Sequence, residues 1–77
     1  MTKNELIQTR DRQPFRAFKL HTADGASFLV EHPEFMWIVP NDNIVAVANP
    51  KGTGYEILDI ALITRIEIPR RKQGAGA

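Results

Sequence analysis

FKLHTADGASFLV, residues 18–30, sets two extended runs on either side of Ala23-Asp24-Gly25, a strong turn signal. The length of the loop decides which side chains face inward. A two-residue loop at Asp24-Gly25 places Phe18 opposite Glu31 and His21 opposite Phe28. A three-residue loop, with Gly25 in the left-handed conformation, places Phe18 opposite Val30 and Leu20 opposite Phe28. Only the second gathers four apolar side chains on one face, and a slip of one residue would scatter them. The segment reads as a hairpin whose loop is residues 23–25 and whose inner face carries Phe18, Leu20, Phe28 and Val30.

Downstream, Pro33 has no N–H to give to a ladder, so the second strand must bend, bulge or stop at His32-Pro33. His32 continues the inward face near the rim and caps the bend, while Glu34 stays solvated. FMWIV (residues 35–39) resumes an apolar extended run, PNDN (40–43) is a turn, and IVAVA (44–48) is the next strand. NPKGTG (49–54) is a loop, and the segments 55–60 and 64–68 supply two last strands joined through Ala61-Leu62-Ile63. Upstream, Thr2-Lys3-Asn4-Glu5 fits a capping box. It predicts a helix over about residues 3–12, ended by Gln13-Pro14 because the residue before proline resists the helical region. Leu6 and Ile7 are its only large apolar residues, so it must lie across β-structure. The expected fold is mainly β: a short N-terminal helix and a small, five-stranded, strongly bent antiparallel sheet or barrel in one domain, residues 1–69. Residues 70–77, RRKQGAGA, read as a loose basic and Gly/Ala-rich tail.

A chain of 77 residues buries only ~60% of the surface its unfolded form exposes, so it gains from outside help. There is no cysteine, which removes disulfides and thiolate metal sites and leaves subunit association as the remaining source of help. Strands such as MWIV (36–39) and IVAV (44–47) are apolar on both faces, and only one face can fill the barrel. The other must meet the helix or another copy of the chain. Trp37 and Phe35 accordingly read as core or interface anchors. A formal charge of +1 is too small to mark the whole surface as nucleic-acid binding. No apolar run approaches a membrane span, and MTKNELIQTR lacks the pattern of a signal peptide, so the expected location is cytoplasmic.

Patterns that carry catalysis are weak here. In the chosen register His21 and His32 point to opposite faces and cannot share a metal, and Asp24, Glu31 and Glu34 show no ligand spacing. Glu56 and Asp59 have opposite parity on one strand, so they do not form a carboxylate pair across a cleft. Asp59, just before a turn, is suited to accept backbone hydrogen bonds. Lys51-Gly52-Thr53-Gly54 resembles part of a phosphate loop, but no helix follows to present its amides. The chain reads as a non-enzyme without cofactor or metal. Its basic residues gather at Arg10, Arg12 and Arg16 and in the tail, which makes Arg16, Arg70, Arg71 and Lys72 the candidate contacts for a polyanion such as single-stranded RNA.

PFRAFKLHTADGASFLVEHPEF (14–35) and YEILDIALITRIEI (55–68) resemble a family of small uncharacterised bacterial proteins written roughly PFRPFxLHLxDGxxFxVxHPEF and FxILDxxxITRIE. The resemblance spans about residues 14–67 and implies membership of a group rather than an activity. A second resemblance is architectural: a short helix, an Asp-Gly hairpin, a long bent second strand and a final strand–turn–strand are similar to the Sm and Hfq-like fold, an SH3-like small barrel. That fold forms rings by pairing the fourth strand of one subunit with the fifth of the next. The resemblance implies a homo-oligomer whose seam involves Tyr55, Ile57 and Asp59 on one side and Thr64, Ile66 and Ile68 on the other. The chain departs from Sm proteins in lacking their Gly and Asp-x-x-x-Asn segment after the turn. Where their RNA-contacting residues would fall, it has Leu58-Asp59-Ile60. The resemblance thus implies a ring-type assembly or binding module. One alternative is an RNA-binding ring that uses the tail and first-strand arginines, and another is a regulatory protein whose two-sided strands are covered by a different chain.

Overall fold

The computed structural model of the protein describes residues 1–69. The tail, with Arg70, Arg71 and Lys72, lies outside the described residues. Strands β1 (Phe18–Thr22) and β2 (Ser27–Val30) form the hairpin with the three-residue loop, pairing Phe18 with Val30 and Leu20 with Phe28. The loop is closed by Thr22 N–H donating to Ala26 O at 3.0 Å, and Gly25 sits at φ 89°, where a Cβ would be strained. Asp24 holds the loop from inside. It accepts from the Thr22 hydroxyl and the Ala26 amide, which keep its carboxyl below the usual aspartate range. Phe18, Leu20 and Val30 are fully buried, as the choice of register requires.

The chain has six strands in two three-stranded antiparallel sheets, not the single five-stranded sheet or barrel expected. Proline is the reason. Pro33 opens a 3-10 turn (Pro33–Phe35), closed by Phe35 N–H donating to His32 O at 3.0 Å, and this turn splits the long second strand into β2 and β3 (Met36–Ile38). One sheet runs β2-β1-β6 and the other β3-β4-β5, where β4 is Ile44–Ala48, β5 is Tyr55–Asp59 and β6 is Ile63–Glu67. The bend passes the chain from one sheet to the other. His32 therefore does not continue the inward face: it is exposed, caps the turn through its carbonyl alone, and lays its ring edge-on to Phe35 at 5.0 Å.

Helix α1 spans Lys3–Arg10, two residues shorter than expected. Its capping box is complete, with Thr2 Oγ1 accepting from Glu5 N–H and Glu5 accepting from Thr2 N–H at 2.9 Å. Those same contacts, the Thr2 amide first, depress the Glu5 carboxyl. At the other end Asp11 N–H makes the last helical bond, to Ile7 O, and the chain leaves the helix before Gln13-Pro14. Leu6 is the one helix residue that is fully buried. It closes a core to which the first sheet gives Phe18, Leu20, Val30 and Ile63, the second gives Met36, Ile38, Val45 and Val47, and the final connection gives Ile60.

In the second sheet Met36, Ile38, Val45 and Val47 point inward, and Leu58 joins them from β5. Trp37, Ala46 and Ile57 lie in one row across the outer face, Ala46 being paired with both of the others. Trp37 is not a core residue, because alternation along β3 gives the inner face to its two neighbours. The described residues contain no helix long and apolar enough to cross a membrane.

Candidate subunit interface

Every sheet has two edges, and the local sequence determines what each can do. The β2 and β3 edges are four and three residues long and meet at Pro33, which blunts both. Strands β5 and β6 are five residues each, and within the described residues β5 pairs only with β4 and β6 only with β1. Their outer edges are the two long stretches of backbone without a strand beside them.

Side chains make the β5 edge the more conspicuous. Tyr55, Ile57 and Asp59 share the outer face of the strand, and Tyr55 and Ile57 are 68% and 65% exposed. On the inner face Leu58 is half-buried against the core. Asp59 ends the strand by accepting from Ala61 N–H at 3.0 Å, which starts the 3-10 turn (Ile60–Leu62) leading to β6. A cleft of about 540 Å³ lies between β5 and the hairpin loop, lined by Asp24, Phe28, Glu56, Leu58 and Leu62 among others.

Strand β6 presents a different surface. Ile63 is buried and Ile66, opposite Leu20, is half-buried against the core, while Thr64, Arg65 and Glu67 are exposed. Its pairing with β1 steps from His21 opposite Arg65 to Thr22 opposite Ile63. Thr64 is the extra residue of a bulge, and its hydroxyl donates to His21 O at 3.2 Å. Ile68 lies beyond the strand, exposed, where with Ile66 and helix residues it lines a shallow groove.

The six residues expected at a seam thus stand on the two free-edge strands or just past them, although Ile66 carries part of the core as well. Of the candidate polyanion contacts, Arg16 is half-buried and donates to Pro69 O at 2.7 Å, tying the approach to β1 to the exit from β6. The tail residues lie outside the described residues. Two features have no counterpart in the sequence reading. One is the Arg16 tie; the other is the contact of His21 Nε2 with Glu67 Oε1 at 2.8 Å across β1 and β6. The hydrogen bond from His21 holds the Glu67 carboxyl below its ordinary value of 4.5. Such a carboxylate contributes stability that is complete above its unfolded value and is lost as pH falls through the lower folded one. Glu67→Gln, a mimic of the protonated group, should be the less stable protein near neutrality and should converge with the wild type in acid. Urea midpoints measured down to about pH 3 would show the two curves meeting. Parallel curves would mean that the pair contributes nothing.

Among the described residues no three His, Asp or Glu side chains are grouped to hold a metal ion. Comparison of the chain with protein-family models, with curated proteins and with solved structures found no match.

Proposed function

We propose that the chain is a non-enzymatic self-assembling module, in which the free edge of β5 pairs with the free edge of β6 from the next copy. The observation that carries this reading is the β5 edge itself, a long unpaired strand bearing two large apolar side chains that stand in solvent. Edges of this kind attract other strands, and pairing them in a closed ring removes the hazard. Support for an Sm-like architecture comes from the element order, a short helix, an Asp-Gly hairpin, a sharply bent second strand and a final strand–turn–strand. The assembly would serve as a scaffold or binding platform.

The same logic that chose the hairpin register chooses one for the seam. Antiparallel pairing is the pattern of both sheets, and inner side chains must meet inner side chains. Leu58 opposite Ile66 joins two half-buried apolar residues. It also sets Asp59 opposite Arg65 and Ile57 opposite Glu67 on the outer face. Shifting by two residues in one direction buries Glu56 against Ile66, and in the other it faces Asp59 with Glu67.

A chain without cysteine allows a clean test. Ile57→Cys combined with Glu67→Cys should give a ladder of disulfide-linked multimers on mild oxidation, since opposed Cβ atoms lie ~5 Å apart across a strand pair. Ile57→Cys with Arg65→Cys, displaced by two residues, should not. A ladder from the second pair alone would keep the seam and move its register. No ladder from either pair, with a native mass of one subunit, would remove the proposal.

A further inference from the structure

The outer faces of the two sheets differ in kind. On the first sheet Lys19, His21, Arg65 and Glu67 cover the outside, with His21 bonded to Glu67. On the second sheet the corresponding face is Trp37 from β3, Ile44, Ala46 and Ala48 from β4, and Tyr55 and Ile57 from β5. Asp59, at one end, is its only charge. Helix α1 approaches β3, with Lys3 Nζ donating to Val39 O at 3.4 Å, yet it leaves Trp37 59% exposed. Pairing the β5 edge would extend this sheet and leave its outer face open.

We infer that the outer face of the β3-β4-β5 sheet is a second contact surface that packs against the same face of another copy of the chain. This goes beyond the edge seam and does not depend on it. A polyanion is a poor occupant, because the face carries no cation. A second copy suits it, because the row across the strands runs large, small, large: Trp37, Ala46, Ile57. Two such faces related by a two-fold axis along β4 set each Trp37 over the Ile57 of the other copy, with Ala46 meeting Ala46. Sheets then stack at their usual ~10 Å separation with interdigitated side chains.

Area sets how strong the contact can be. At ~150–250 Å² per aromatic side chain, the open parts of Trp37 and Tyr55 amount to roughly 200–300 Å². Ile57 and the half-covered β4 residues raise the face to about 400–500 Å² per copy, or about 800–1,000 Å² for a pair, the lower limit of a specific interface. Single copies should therefore join this way only at high concentration. Rings joined by the seam would multiply the contact and dock face to face at lower concentration. An isologous contact between rings doubles the subunit count, so the full assembly has an even number of copies.

Trp37 is the only tryptophan, so its fluorescence reports this face and nothing else. Light scattering and acrylamide quenching of Trp37 should be followed together through a dilution series. We expect Trp37 to be shielded in the largest species and to become fully quenchable as the mass falls twofold. Ala46→Lys should halve the mass and leave Trp37 quenchable at every concentration, and the exposed-site variant Trp37→Ser should halve the mass as well. Both should retain the ladder from the 57/67 cysteine pair. A multimer whose Trp37 quenches freely, and whose mass neither variant changes, would overturn the face contact while leaving the seam standing. Dimers that shield Trp37 but give no ladder would confirm the face and remove the seam. A single subunit at all concentrations would remove both.

Discussion

Replacing Ile57 with glutamate is expected to reduce the native mass to that of one subunit without unfolding the chain. Ile57 is two-thirds exposed in the protomer, so the substitution should change its folding stability by no more than ~0.5 kcal/mol. Its effect falls on association. In the proposed seam residue 57 faces Glu67 of the neighbouring copy, and like charges directly opposite one another are destabilising in a sheet. On the sheet's outer face the same carboxylate would have to be desolvated beneath Trp37 of a docked copy, with no partner for it there. Both contacts are thus opposed by one change. Light scattering at micromolar concentration, with circular dichroism as the check on folding, reads the outcome. A variant that keeps the wild-type multiple of the subunit mass would show that β5 takes part in neither contact. Ile66 would make a poorer probe although it also lies on a free-edge strand. It packs against the core opposite Leu20, so a charge there would unfold the protomer and leave the loss of mass ambiguous.

Most of the fold that is local in the chain is legible in the residues. The hairpin register follows from four apolar side chains and one glycine, the capping box from Thr2 and Glu5, and the Asp59 turn from its position before Ala61. Each of these spans a dozen residues or fewer. What escapes the sequence is non-local. The pair of His21 with Glu67 and the tie of Arg16 to Pro69 join residues 46 and 53 apart, and both depend on β6 lying beside β1 with a bulge at Thr64. Pro33 announces a break, but whether the chain bulges within one sheet or crosses to another depends on the packing of Met36 and Ile38 across the core. The same applies to Trp37. Residues 36–39 carry no polar marker, so alternation alone cannot say which side faces out. Only the buried positions of Met36 and Ile38 assign Trp37 to the open face.

The largest effect on the protomer itself is expected from Phe18→Ala. Phe18 is fully buried, faces Val30, and meets Phe15 edge-on with ring centres 6.0 Å apart. Removing a buried phenylalanine side chain costs about 3–5 kcal/mol, from lost transfer energy and from the cavity left behind. At ~0.05–0.15 kcal/mol per residue a domain of this length has roughly 4–12 kcal/mol in total. The variant should therefore lie near the edge of folding, and what folds should do so with help from its neighbours. Its urea midpoint should drop sharply and should rise with protein concentration, because association stabilises the folded form by mass action. Lys19→Ala, one residue along and on the outer face opposite Leu29, should change the midpoint by no more than ~0.5 kcal/mol equivalent. The contrast between these adjacent positions tests the hairpin register. A slip of one residue exchanges the two faces, so a small loss at Phe18 with a large one at Lys19 would mean that the loop is two residues long and the inner face of the first sheet has been assigned to the wrong side chains.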